Sequence, residues 1–345
     1  MVDCPLPANE PAESDLRPEV ELLLASPRGF CAGVSRAIDA VRDAIALHGP
    51  PVYVRRPIVH NLAVVRELEA EGAIFVEELE QVPSGAVVIL SAHGVSAKVQ
   101  DEAGTRQLIA YDAVCPLVGK VHRQVERYCR DGRQIILVGH LGHPEVEGTI
   151  GRLPTGSVSV VGSVEEAAAL DLDVAAPTAV AVQTTYSVEE AASILTMLRT
   201  RFSDLVEPPT SDICYATTNR QRAVRAIADR SASVIVVGEA FSSNARRLAE
   251  VAALRCDHVQ LIADGSALDW SRLPRMGTIG LTAAASTPES SIAGVIAALS
   301  ARYRLSVQEV GTGSESVTFK PVGIGSPVGA VMGDRQAEDR PRYRS

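Results

Sequence analysis

The sequence predicts an α/β protein built of three pseudo-threefold related αβα domains with mostly parallel sheets. Three observations carry that prediction. Short apolar runs suited to buried strands alternate with segments whose apolar residues fall at helical spacing. Three cysteines, Cys31, Cys115 and Cys214, each precede such a helical segment. Each is also followed, at nearly equal distance, by a polar residue at the tip of the next strand. The intervals are 29 residues from Cys31 to His60, 28 from Cys115 to His143 and 30 from Cys214 to Asn244. Sequence identity among the units is negligible, so the repeat lies in order and spacing alone.

Taken in order, residues 1–18 are rich in Pro, Glu and Asp and are expected to form a disordered leader. Module one is expected over 19–113. It opens with a strand at Glu21–Ser26, and the PRGFC turn closes at Cys31. Val34, Ala37, Ile38, Val41, Ala44 and Ile45 then form a helical stripe that Gly49-Pro50 ends. VYVRRPIV reads as a strand with His60-Asn61 at its tip, and VVILSAHG as another with His93. The strand Ile109–Ala113 leads to Cys115 and module two, 114–212. There Val121, Val125, Tyr128 and Cys129 share a helix face, Gly132 stops the helix, and Gln134–Val138 is a buried strand ending in GHLGHPEVEG. A later strand, AVAVQTT, carries Thr184. Module three, 213–305, places Ala223, Val224 and Ile227 on one helix face after Cys214. The strand SVIVVG, the triplet Ser242-Ser243-Asn244 and TIGLTAAAS with Ser286 follow. The most linker-like stretches are 151–157, 171–178 and 207–211. The C-terminal segment, 306–345, offers one late strand at VTF (317–319), and its Gly/Pro-rich end is expected to be disordered.

The totals narrow the function. With 345 residues and 46% hydrophobic content the chain can bury several cores, and with only 4% aromatics those cores must be aliphatic. A net charge of −9 with no Lys/Arg cluster argues against nucleic-acid binding. No apolar run approaches the roughly 18 residues of a membrane span, and the first residues lack a basic and an apolar signal region. A cytoplasmic protein with no membrane contact is therefore expected. Six cysteines in such a chain favour metal or redox chemistry over disulfides. There is no Walker A sequence and no HExxH, and the glycines at 323 and 325 follow no strand–turn–helix context.

Cys129 on its helix stripe and Cys256 beside a strand read as small hydrophobes, and Cys4 in the leader as inert. Cys31, Cys115 and Cys214 sit at helix starts, where the helix dipole and free N–H groups favour a thiolate. Their separations of 84 and 99 residues are unlike the CxxC pairs of structural zinc. Three convergent thiolates suit a metal or an iron–sulfur site, and would leave one iron of a [4Fe–4S] cluster open as a Lewis acid. From spacing alone, three structural cysteines stand as the alternative.

His48, His122 and His258 carry no special context and read as structural. His60, His93 and His143, with Ser242, Ser243, Asn244 and Ser286, form a set with many hydrogen-bond donors and few fixed charges, which suits a phosphate or diphosphate. Glu145 is the one carboxylate among them. A low-dielectric site would raise its pKa, as a general acid requires. The plainer reading is that Glu145 and Glu147 begin a helix with favourable dipole placement.

Assembled, these segments resemble the 4-hydroxy-3-methylbut-2-enyl diphosphate reductase family over about 21–305. The resemblance rests on PRGFCAGVSRAI, IVHN, SAHGVS, DAVCPLV, GHPEVEGT, QTT, DICYATTNRQ, SSN and TAAAS. It implies three αβα domains around one central [4Fe–4S] cluster held by Cys31, Cys115 and Cys214. It also implies diphosphate contacts from His60, His93, His143, Ser242, Ser243, Asn244 and Ser286, and proton delivery by Glu145 with Thr184. An electron donor such as ferredoxin or flavodoxin is implied as well, since no flavin or nicotinamide motif is present. The chain departs from the family pattern at Ala240-Phe241, at Val114, at the second alanine of TAAAS and at Arg56-Pro57. Two other classes are distinguishable: a quinolinate-synthase-like lyase, which would need no electron donor, and a colourless phosphate-binding protein with structural cysteines.

Overall fold

The computed structural model describes residues 17–311, 313 and 315–328. The expected disorder of 1–16 and of 329–345 lies outside the described residues, as does Cys4. The chain opens with β1 (Glu19–Ser26), α1 (Ala32–His48), β2 (Val52–Arg55), α2 (Leu62–Glu71), β3 (Ala73–Val76), β4 (Val87–Leu90), α3 (Ala97–Thr105) and β5 (Ile109–Asp112). It continues through α4 (Pro116–Arg130), β6 (Gln134–Val138), α5 (Pro144–Ile150), β7 (Val158–Val161), α6 (Val164–Ala169), β8 (Thr178–Val182), α7 (Val188–Arg201) and β9 (Leu205–Val206). Last come α8 (Tyr215–Ala228), β10 (Ser233–Val237), α9 (Ser243–Ala253), β11 (Val259–Ile262), β12 (Gly277–Ala283), α10 (Glu289–Ser300) and β13 (Arg304–Gly311).

The strands form three sheets, ordered β3-β2-β4-β5, β7-β6-β8-β9 and β11-β10-β12-β1-β13. Every pairing is parallel. Parallel sheets need cover on both faces, and each sheet has two aliphatic clusters. Val41, Val54 and Ile89 pack on one face of the first sheet and Val88, Leu90 and Ala110 on the other. Ile136 and Val180 oppose Ile135 and Ala179 in the second sheet; Leu22 and Ile279 oppose Leu23 and Val234 in the third.

One strand departs from the expected partition. Residues 19–26 read as the start of module one, but β1 lies between β12 and β13 in the third sheet, with Leu22 opposite Ile279 and Val307. The cause is its composition. Leu22, Leu23, Leu24 and Ala25 are buried in succession, and a run without alternation demands a central place with cover on both faces. The position is also the one the repeat requires. The strand before Cys115 (β5) closes the first sheet, the strand before Cys214 (β9) closes the second, and the strand before Cys31 joins the third. Each cysteine therefore follows a strand of one sheet and starts a helix that packs on the next.

The late strand also differs from expectation. It is β13, at Arg304–Gly311, not VTF, and residues 317–319 have no regular structure. The alternating polar residues of RLSVQEVG mask the strand because it is an exposed edge. Beyond it, Val322 and Ile324 pack into the first module's core. The Val328 N–H donates to Ala110 O at 2.7 Å. Residues 323–328, expected within a disordered end, thus lie against β5.

Candidate active site

Every site residue singled out in the sequence lines a single cleft of about 730 Å³, counting the part continuous with solvent. Helix starts put them there. Cys31, Cys115 and Cys214 are the N-caps of α1, α4 and α8. Asn61, His143 and Ser242 are the N-caps of α2, α5 and α9. Six helix N-termini, with their positive dipole ends, therefore lie at the cleft.

The cysteine side is close-packed. A Cβ built on Gly33 would lie 2.8 Å from Cys115 Sγ and 3.8 Å from Cys31 Sγ, so only a glycine leaves room beside those sulfurs. Cys214 Sγ accepts from the Thr217 N–H at 3.3 Å and lies 3.2 Å from Thr217 Oγ1. Its backbone N–H donates to Thr184 O at 3.0 Å, tying this cysteine to the tip of β8. The expectation that helix starts favour thiolates is reversed for two of the three. Burial pushes the Cys115 thiol up to about 11 and that of Cys214 to about 12, outweighing the helix N–H bonds. A bound cation is what would make these sulfurs anionic. Among the described residues no three His, Cys, Asp or Glu side chains converge on a point that could hold one metal ion. A polynuclear cluster takes one thiolate per iron and needs no such convergence. The donor set and the space guarded by Gly33 fit that group.

Opposite the cysteines lies a cluster of histidines. The His60 ring centroid is 4.2 Å from that of His93 and 5.7 Å from that of His143. Burial, assisted by the field of Arg246, lowers His60 to about 4. Burial, then the neighbouring His60, lowers His143 to about 3 and His93 well below its ordinary value. The rings are thus neutral near pH 7. The Glu145 N–H donates to His143 Nδ1 at 3.1 Å, so the ring proton belongs on Nε2. That Nε2 is buried without a protein partner, as are His60 Nε2 and both side-chain polar atoms of Asn244. Unpartnered buried polar atoms are costly, and here they share one cleft. Ser243 Oγ lies 3.4 Å from Thr185 Oγ1, and Ser286 Oγ donates to His60 O at 3.2 Å.

Glu145 is fully enclosed. Its Oε1 accepts from the Thr184 N–H at 2.7 Å and its Oε2 from Thr184 Oγ1 at 2.8 Å. Burial raises its pKa to about 7, although both Thr184 bonds pull the other way. Glu147, by contrast, is half-exposed and meets Arg56 of module one at 2.9 Å. The two glutamates of this helix start thus have different surroundings.

Thr185 and Thr217 also line the cleft and were not singled out in the sequence. Thr217 had a signal: it stands three residues after its cap, where a capping residue's bond partner sits. The histidines read as structural do not line the cleft. His48 Nε2 is 2.8 Å from Tyr111 Oη, and His122 packs under Gly94, outside the cleft. Cys256 is buried and Cys129 packs beside a module-two core.

Residues 22–300 match the LytB protein family. A 4-hydroxy-3-methylbut-2-enyl diphosphate reductase of Hyphomonas neptunium is 51% identical over 306 residues, 88% of this chain and 97% of the relative. One from Phenylobacterium zucineum is 49% identical over 304 residues, with the same coverage. Among solved structures, the E-1-hydroxy-2-methyl-but-2-enyl-4-diphosphate reductase of Plasmodium falciparum superposes with a TM-score of 0.84. Its identity is 38%, over 88% of this chain and 96% of that one.

Proposed function

The chain belongs to the LytB protein family, and on that premise we propose that it reductively dehydroxylates 4-hydroxy-3-methylbut-2-enyl diphosphate, the last step of the non-mevalonate route. Two electrons and two protons enter, water leaves, and isopentenyl or dimethylallyl diphosphate results. The observation that carries the reading is Glu145: a buried carboxyl, titrating near 7, in one cleft with three cysteines and a set of neutral anion donors.

Cys31, Cys115 and Cys214 would hold one [4Fe–4S] cluster. When bound, it would supply the electrons singly and an open Lewis-acidic iron. The chain's residues do the rest. His60, His93 and His143 are neutral and desolvated, so each offers an N–H to a diphosphate oxygen with no prior charge to discharge. Ser242, Ser243, Asn244 and Ser286 add donors from module three, and the N-termini of α2, α5 and α9 add their dipoles. This grip fixes the substrate's hydroxyl end against the cysteine side. Glu145, protonated at and below about pH 7, gives its proton to the leaving oxygen, which departs as water. Thr184 then satisfies the resulting carboxylate through its N–H and hydroxyl, so the acid's loss of a proton leaves no orphaned charge. A second proton reaches carbon at either end of the allylic unit and sets the product.

Ferredoxin or flavodoxin supplies the electrons in this reading, and the protein works in the cytoplasm. Among the described residues no helix is long and apolar enough to cross a membrane. The test is anaerobic turnover of the hydroxylated diphosphate with a reduced low-potential donor. Formation of the two five-carbon diphosphates is expected. Turnover that proceeds equally well without any donor would overturn the assignment.

A further inference from the structure

Arg220 is the largest fully buried side chain among the described residues. Its Nη2 donates to Gly29 O at 2.8 Å and to Phe30 O at 3.3 Å, and its Nε to Gly29 O at 3.1 Å. These are the two carbonyls immediately before Cys31, in a turn where Gly29 holds φ +64°. The same guanidinium holds Ala216 O, in the first turn of the helix that Cys214 starts. One side chain thus fixes the Cys31 turn to the Cys214 helix. A wholly buried guanidinium needs an anion. That anion is Glu315, whose carboxylate takes Nη1 at 3.1 and 3.0 Å. Glu315 also accepts from Asn219 Nδ2 at 3.0 Å.

Glu315 stands outside the family match, on the C-terminal segment beyond β13. The segment is held again at Lys320, whose carbonyl accepts from Arg36 Nε at 2.8 Å. Arg36 Nη1 meanwhile donates to Val114 O at 3.0 Å, immediately before Cys115. Val322 is anchored in the first core. The segment is therefore a strap that touches the approaches to two cysteines through two arginines.

We propose that Glu315 is a positioning residue for Cys31: from the C-terminal strap it neutralises Arg220, which holds the turn presenting that cysteine. The role rests on the reading of Cys31 as a cluster ligand. Without the carboxylate, the guanidinium draws toward water and releases the Gly29 and Phe30 carbonyls. Cys31 then loses its fixed place while Cys115 and Cys214 keep theirs, since the Cys115 N–H bond to Ala92 O, the Cys214 N–H bond to Thr184 O and the Thr217 N–H bond to Cys214 Sγ do not involve Arg220.

The experiment uses full-length Glu315→Ala and Glu315→Gln, with Glu315→Asp as the conservative variant and Lys320→Ala as a control on the same strap. In the iron-free chain, alkylation at each cysteine is followed by mass spectrometry. In the iron-loaded chain, iron loss to a chelator is timed. We expect the Cys31:Cys115 alkylation ratio in Glu315→Ala to rise about tenfold, the size of one charged hydrogen bond lost. Glu315→Asp should recover most of it, Lys320→Ala should match wild type, and iron loss should quicken in step. An unchanged ratio overturns the proposal. So does an equal rise at all three cysteines, including through failure to fold, because the effect must be confined to Cys31. A wild type that never holds iron defeats the cluster reading but leaves the alkylation comparison valid.

Discussion

The two sides of the cleft are built by one device and used in two ways. On each side three helices, one per module, begin at or beside a residue that lines the cleft. The cysteine side repeats one residue three times at Cys31, Cys115 and Cys214, and each follows a strand in the corresponding place of its sheet. The polar side repeats nothing. Its caps are Asn61, His143 and Ser242, and two positions beyond them stand Ala63, Glu145 and Asn244. A symmetric cluster asks three equal things of three modules. A substrate with one charged end and one leaving hydroxyl asks three different things, so the acid appears once.

The comparison breaks first at the cysteines. If that side is symmetric, Cys31→Ser, Cys115→Ser and Cys214→Ser should each lose most bound iron and all measurable turnover, while Cys129→Ser keeps both. Iron analysis of anaerobically purified protein decides it, and full iron with normal activity in any one of the three would remove that position from the set.

The acid should be the next largest effect. Glu145→Gln is expected to retain iron and diphosphate affinity but to slow single turnover about 10²–10⁴-fold. The wild-type rate should fall as pH rises through about 7, because the protonated carboxyl is the active form, and this limb should vanish in Glu145→Gln. Thr184→Val, which removes one of two bonds to the carboxylate, should lose less. Glu147→Gln gives up only a half-exposed ion pair and should stay within about fivefold of wild type. Equal behaviour of Glu145→Gln and Glu147→Gln would return Glu145 to a helix-start role.

The anion grip should show in KM. His60→Ala or His93→Ala each removes a donor to a charged group, about 1.5–3 kcal/mol, or roughly 10–100-fold. Steady-state kinetics with the diphosphate, set against the corresponding alcohol, test this; a KM unmoved in both variants would exclude these rings from the grip.

The smallest effect is on stability. His60 and His143 have folded-state pKa values below the ordinary 6.5, so the unfolded chain binds protons that the folded chain refuses. The ligand-free protein should lose stability as pH falls from 6.5 towards about 4, and keep this contribution in full above 6.5. Melting temperature across that window should fall less steeply in His60→Ala, and a parallel profile would show that the ring does not titrate in this way.

Much of this was legible because function sits at punctuation. Strand tips and helix starts are marked by abrupt changes from apolar to polar residues, so the cysteines, His143 and Glu145 could be read from the chain. Sheet membership was harder. Leu22-Leu23-Leu24-Ala25 signals burial on both faces but not which neighbours provide it, and the pairing with β12 spans most of the chain. The edge strand β13 was missed because most of it is exposed and no buried apolar run marks it. Neither Arg220 nor Glu315 could be read as partners, since a buried ion pair leaves no periodic trace.

Sheet membership also sets a timetable for synthesis. Val20 emerges from the ribosome 257 positions before its partner Gly277. At about 5–20 residues per second that is a wait on the order of tens of seconds. Through that interval β1 is an unpaired strand with an uncovered apolar run, Leu22-Leu23-Leu24-Ala25, the kind of segment that misassembles or recruits chaperones. The first two sheets draw on strands from residue 52 to residue 206 and can close while β1 waits. We therefore expect ribosome-arrested chains ending before residue 277 to protect β2–β9 from protease and to leave β1 cleavable. Protection of β1 in those short chains would mean that it finds temporary shelter elsewhere.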